Sequence, residues 1–303
     1  MKTKTLDFHT ISAAAISVLA TAVVYLPFTN DKSPVLAMAF ALLIGFPFYI
    51  AVVKISGKIQ LKNTNLKKFF AVIISAFLIF LAAKSFGSAT NYFKDAVLPK
   101  TPYYLLVITL FFLVLYAVIC GGDAVKKFTV IGFLAVAVLM LILLLISFKN
   151  LDVSLISKPR FNVPFFETVA KYLVIIFIFS GDVLIFQRKG GNEKSFLKST
   201  VLGVMIGGAI LTLVIANSVL IFGENYAAEI TFPYAAAIGT FSVGTLFTRL
   251  DGFAYFMILT VNFLKSALCI LSCEYVLSSF KIKHRKTLLF ILCALAVLLS
   301  LAL

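Results

Sequence analysis

Residues 252–279 read GFAYFMILTVNFLKSALCILSCEYVLSS. A helix needs about 20 apolar residues to cross a hydrocarbon core about 30 Å thick, and this stretch exceeds that length with Lys265 near its middle and Glu274 toward its end. At 1.5 Å per residue the lysine lies about 20 Å from either end, too far for its side chain to snorkel to water. A lone charge at the bilayer centre costs at least about 2.5–3.5 kcal/mol. Lys265 must therefore face other helices or a wet cavity, either as a substrate or proton site or as a tether to helix-end carbonyls. One stretch thus implies a bundle around it.

Eight further stretches have the length and apolarity of spans: Phe8–Phe28, Pro34–Val53, Phe69–Tyr92, Tyr103–Cys120, Phe128–Phe148, Phe165–Phe186, Leu197–Phe222 and Thr287–Leu303. Together with Gly252–Ser279 they take up most of the 303 residues. Composition agrees: 62% of residues are hydrophobic and 13% charged, against about 45–50% and 25% in globular domains, and the mean hydropathy is +1.08. A soluble core cannot hide that much apolar surface. A disordered chain, a disulfide scaffold and a coiled coil are excluded on the same counts. The predicted fold is an all-α polytopic membrane protein of about nine transmembrane helices, forming a single transmembrane domain over residues 1–303.

The net charge of +15 is a topology signal before it is a nucleic-acid signal. Alternate loops divide the basic residues unevenly. Lys2 and Lys4, the five lysines from Lys54 to Lys68, Lys126 and Lys127, Arg188 to Lys198 and Lys281 to Lys286 make seventeen on one side; the other holds seven, Lys32, Lys94, Lys100, Lys149, Lys158, Arg160 and Arg249. The bias predicts a cytoplasmic amino terminus and, with nine spans, an external carboxyl end. No nucleic-acid partner is expected; the lipid bilayer is. The first span lacks a signal-peptide cleavage site, so it is expected to stay in the mature chain. The longest connection, Gly223–Leu250, is too apolar for a solvated linker and too interrupted for a span; it reads as a re-entrant or surface-lying lid packed on protein.

Enzyme chemistry is poorly supplied. His9 and His284 lie far apart near span ends, and there is no His-Glu-x-x-His, no Gly-x-Ser-x-Gly and no phosphate loop. Cys269 and Cys273 share a helix face at i, i+4 but lack the second pair or histidine of a metal site. Neither metal nor cofactor is expected, and the protein is read as a non-enzyme. Gly203 and Gly207 form Gly-x-x-x-Gly beside Gly208, which serves either static close packing or a sliding helix contact.

Other intramembrane polar groups are candidates beside Lys265. Asp182 follows Ser180-Gly181 and an apolar run, so it either marks a broken helix whose freed backbone groups bind ligand or the end of span six. Lys84 lies about 22 Å into span three, and snorkelling outward stands beside function. Glu274, on the opposite helix face from Lys265, is within reach of the interface. In span one, Ala20-Thr21-Ala22 separates two apolar halves before Pro27 and marks a candidate loosened stretch.

These segments together resemble the spore-germination permease family, the B-type subunit of germinant receptors within the amino acid–polyamine–organocation superfamily. The resemblance rests on Tyr116 through Lys127 with Gly121-Gly122-Asp123, Phe222-Gly223, Phe232-Pro233, Arg249-Leu250-Asp251, Phe263-Leu264-Lys265-Ser266, Gly181-Asp182 and Tyr25-Leu26-Pro27. It implies ten spans in two inverted five-helix repeats, of which this chain, ending at Leu303, lacks the last helix: repeat one about 1–150 and an incomplete repeat two about 160–303. It also implies a ligand site between the broken middles of spans one and six, hence Ala20, Thr21, Ala22, Ser180, Gly181 and Asp182, with Lys265 near the superfamily's coupling-ion region. Lys84 and Glu274 stand beside Lys265 as the further coupling or intramembrane-charge candidates.

The function implied is a membrane subunit that binds a small amino-acid-like ligand during spore germination, in the cell membrane or the spore inner membrane, with other germinant-receptor subunits as partners. A proton- or sodium-coupled amino-acid permease is the alternative on the same fold. A structural or assembly subunit is the third reading.

Overall fold

The computed structural model describes residues 7–25, 33–58, 64–148, 151–155, 161, 163–178, 182, 193–230, 232–241, 250–280 and 284–302. All regular structure among them is helical, as expected where lipid offers the backbone no hydrogen bonds. The long helices are α1 (Phe8–Tyr25), α2 (Pro34–Lys58), α3 (Thr64–Tyr92), α4 (Tyr103–Cys120) and α5 (Gly122–Ser147). A short α6 (Val163–Leu173) is followed by α7 (Glu193–Phe222), two one- to two-turn helices α8 (Glu224–Glu229) and α9 (Pro233–Gly239), then α10 (Asp251–Leu277) and α11 (Arg285–Ala302). Seven of these, α2 to α5, α7, α10 and α11, are long and apolar enough to cross a membrane. Among the described residues the count of nine expected from sequence is not reached on that measure, because α1 offers only the shorter apolar stretch Phe8–Ala20 and α6 passes into a π turn after Leu173.

α10 is the centre of the bundle. Of its span 78% is buried inside the protein, against 28% for α4 and for α11, and it packs on α3, α5, α1 and α4. The peripheral helices turn large apolar side chains outward, among them Phe112, Tyr116, Leu141, Leu145 and Leu298. An apolar belt of that extent on a folded protein is a surface for lipid.

α1 lies against α7 and also touches α5, α10 and α3. Small residues allow this close approach: Ala13, Ala14 and Ala15 are buried, and Gly203 and Gly207 of α7 face them, with no room for a Cβ at either. The Gly-x-x-x-Gly pair is thus a packing ledge for α1.

Two boundaries differ from the sequence expectation. α5 begins at Gly122 rather than near Phe128, because the basic pair Lys126–Lys127 sits within its first turns, where long lysine stems reach water. The break from α4 is the single residue Gly121, whose φ of +101° is readily available to glycine. Ala20-Thr21-Ala22 is not loosened: α1 stays helical through Tyr25, since alanine is the strongest helix former and no glycine or proline intervenes.

The connection expected to pack on protein does so in its described part. α8 and α9 pack on α7, and α9 also on α10. Ala235, Ala237 and Ile238 are buried, so the run of small residues is the face of α9 that lies on protein. Residues 242–249 lie outside the described residues.

Candidate functional site

The sixth span loses regular α-helical order partway. α6 ends at Leu173 and gives way to a π turn, Val174–Ile178, a geometry found often at functional sites. Beyond it Asp182 is described, whereas Ser180 and Gly181 of the expected break lie outside the described residues. α2 covers the turn: Tyr49, itself buried, places its ring 5.3 Å from that of Phe177.

Asp182 is fully buried, and Lys265, midway along α10, is 1% exposed. Lys265 Nζ donates to Asp182 Oδ1 at 2.7 Å and also to Ser17 Oγ on α1. The Ser17 hydroxyl donates in turn to the same Asp182 Oδ1 at 2.5 Å. A hydroxyl has one proton and two lone pairs, so Ser17 accepts from the ammonium and gives its proton to the carboxylate. The three side chains close a ring of charge-assisted hydrogen bonds joining α1, the interrupted sixth span and α10.

α10 holds Asp182 with one stripe. Cys269 brings Sγ to 3.8 Å from Asp182 Oδ2, and the Ser272 hydroxyl donates to the Asp182 backbone oxygen at 3.1 Å. Lys265, Cys269 and Ser272 stand at i, i+4 and i+7, the spacing of one helix face. The remaining half of the cysteine pair, Cys273, turns to the Ser75 carbonyl of α3 at 3.9 Å. Both cysteines are free thiols.

The other candidates are placed as follows. Ala20 is buried in α1; the side chains of Thr21 and Ala22 lie outside the described residues. Lys84 is half-buried on α3 with Nζ 5.9 Å above the Phe80 ring, apart from the ring of hydrogen bonds. Glu274 is paired with Arg285 at the start of α11, through Nε and through Nη2 at 3.2 Å. The Arg285 side chain is 53% exposed, so the pair is of the solvent-screened kind worth under about 1 kcal/mol. Glu274→Gln is expected to leave the thermal midpoint within about 2–4 °C of the parent, measured on the protein in nanodiscs.

Ser17 was not among the sequence candidates. Its signal was available as spacing: Thr10, Ser17 and Thr21 lie seven and four residues apart on one face of a largely apolar helix.

The model of the spore germination protein family matches residues 35–303, which include Asp182 and Lys265. The chain belongs to the spore germination permease family. Its fold is shared with transporters of known structure. A nucleobase-cation-symport-1 family transporter, solved in a closed conformation with bromovinylhydantoin bound, superposes with a TM-score of 0.59 at 14% identity, covering 97% of this chain and 71% of the transporter. A sodium-coupled sialic acid symporter, solved substrate-bound and outward-open, gives 0.62 at 12% identity with the same coverages. No curated protein sequence matches the chain. The chain is thus a multi-pass membrane protein of the spore germination permease family with a fold shared by transporters.

Proposed function

We propose that this chain is a germinant-receptor-like subunit that binds a small amino-acid-type ligand at mid-membrane, between α1 and the interrupted sixth span. The observation that carries the reading is the buried ring of Lys265, Asp182 and Ser17. A zwitterionic amino acid brings the same two charges that the protein pairs internally. Its ammonium can take the place of Lys265 beside Asp182, and its carboxylate can then take Lys265 or the backbone N–H groups of a helix end. Exchange of partners would convert ligand binding into a changed contact among three elements, which partner subunits would read. Ala20, Thr21, Ala22, Ser180 and Gly181 would line the ligand.

In this reading the chain is a single transmembrane domain of two inverted repeats, about 1–150 and about 160–303. It sits in the cell membrane or spore inner membrane with its amino terminus in the cytoplasm, as the seventeen-to-seven distribution of basic residues favours.

The test uses a variant that keeps the core neutral. Lys265→Met/Asp182→Leu removes both charges together, so it is expected to accumulate to near the parent level while its spores no longer respond to amino-acid germinants. A normal response from that variant sinks the site assignment. A second reading, a proton- or sodium-coupled permease, is favoured by the symporter neighbours. Uptake of labelled amino acid into proteoliposomes, with and without an ion gradient, separates the two: robust gradient-driven uptake by the isolated chain selects the permease.

A further inference from the structure

We propose that the groove between α4 and α5, floored by α10, holds one acyl chain of an anionic phospholipid whose phosphate lies at Lys127. The groove has a volume of about 260 Å³. Tyr116 and Cys120 of α4, Ala124 and Phe128 of α5, and Leu264 of α10 are among the residues that line it. Apart from the Tyr116 hydroxyl and the Cys120 thiol, the lining side chains are hydrocarbon. Leu264 is fully buried, whereas Tyr116 is 73% and Phe128 50% exposed, so the groove opens on the side turned to lipid. This reading stands apart from the ligand proposed for the charge centre.

Size narrows the occupant. One turn of α-helix, about 10 Å across and 5.4 Å tall, has a volume of about 400 Å³, so a partner helix cannot enter. Pockets for drug-sized molecules run to about 300–1,000 Å³. A smaller slot, open along one side, suits part of an alkyl chain whose remainder runs on into the bilayer. Burial of that chain brings little selectivity, because the surrounding lipid is equally apolar. Preference for one lipid must come from its head group.

Charge complementarity supplies that preference. Lys127 is exposed on α5, at i+3 from Ala124 and next to Phe128, both of which line the groove. Helical side chains lean toward the amino-terminal end of their helix, so the Lys127 stem runs back past Ala124 toward the junction at Gly121, beside Cys120. Lys126 adds a second positive charge at the next position. α5 starts without a side-chain cap, and the amides of an uncapped first turn suit a phosphate. Asp123, exposed in the same turn, opposes the anion and is outnumbered by the lysine pair. Basic pockets between helices at a membrane surface are a recurring site for anionic head groups. The groove also touches the charge centre through α10: Leu264 precedes Lys265, and α5 presses on it from Gly132, where a Cβ would lie 2.6 Å from Leu264 Cδ1. A bound acyl chain therefore packs behind the helix that carries Lys265.

The chain has no tryptophan, so Phe128→Trp places a single fluorophore in the groove wall. The test uses that full-length variant in nanodiscs containing phosphatidylglycerol or phosphatidylcholine brominated on the acyl chain. Brominated phosphatidylglycerol is expected to quench at a mole fraction at least fivefold lower than brominated phosphatidylcholine, the worth of about one lysine at an anionic surface. Leu141→Trp, further along the lipid-facing side of α5, is expected to respond equally to both lipids. In the Phe128→Trp background, Lys127→Gln removes most of the preference and Lys127→Arg keeps it. Ala124→Phe, which fills the groove but leaves the lysines, also removes it while the thermal midpoint holds. Tyr116→Trp on the facing wall gives the same readout if Phe128→Trp fails to fold. Equal quenching by the two lipids, the same preference at Leu141→Trp, or a preference that survives Lys127→Gln or Ala124→Phe would each overturn the proposal.

Discussion

Lys265→Met lowers the stability of the bundle by about 3–5 kcal/mol, because it leaves Asp182 fully buried with its charge uncompensated. Asp182→Leu costs a similar amount by stranding the ammonium. The two losses are not additive. Removing both charges restores most of the stability, since a buried ion pair contributes little net once the desolvation of both ions is counted. A double-mutant cycle on thermal unfolding in nanodiscs is expected to give a coupling of at least about 2 kcal/mol between Lys265 and Asp182; strictly additive losses would show that the two are not a coupled pair. Ser17→Ala costs less, about 1 kcal/mol, because lysine and aspartate still meet directly at 2.7 Å.

The same arithmetic supports the proposed binding role of the ring, because its charges are a poor source of stability. An apolar trio of similar volume would hold α1, the sixth span and α10 together at least as well. What the charges would add in the proposed reading is exchangeability: each half of the pair would accept the complementary group of a zwitterion, at a place in the bilayer where an unpaired charge is too costly to persist.

Much of this was legible in the sequence, for physical reasons. Lys265 stood out because a charge about 20 Å from water must be surrounded by protein. Asp182 stood out because a glycine and an acid interrupted an apolar run. Their pairing was not legible, because the partners are 83 residues apart on different elements and nothing in helical periodicity reports which faces meet. Glu274 shows the converse: its partner Arg285 is only 11 residues away in sequence, but charge near a span end fits an interfacial pair as well as a coupling site. Ser17 was hidden by its ordinariness, since serine is common in membrane helices and only its spacing from Thr10 and Thr21 set it apart. The span count differs among the described residues because length and apolarity were counted through Phe186, whereas the unbroken described α-helix there, Val163–Leu173, passes into a π turn.

Gly203→Ala is expected to destabilise the protein by about 1–3 kcal/mol, although alanine is the better helix former by about 1 kcal/mol. A Cβ at Gly203 would lie 2.4 Å from the Ile11 carbonyl oxygen and 2.7 Å from Ala14 Cβ. The obstacle is largely backbone, which no rotamer change can move, so α1 itself must retreat from α7. Gly207 makes the same demand one turn on, with the Ala15 carbonyl oxygen at 2.9 Å, so Gly203→Ala/Gly207→Ala should forfeit more than either single change. The retreat has a functional reach, because α1 carries Ser17: moving the helix loosens the hydroxyl that bridges Lys265 and Asp182, and the ligand response should weaken along with stability. Gly87→Ala, toward the end of α3, supplies the contrast. Its Cβ would meet nothing nearer than the Ser300 carbonyl oxygen at 3.9 Å, an ordinary contact, so only the propensity gain remains and the thermal midpoint should hold or rise. Equal midpoints for Gly203→Ala and Gly87→Ala would mean that α1 and α7 do not approach as closely as their backbones imply.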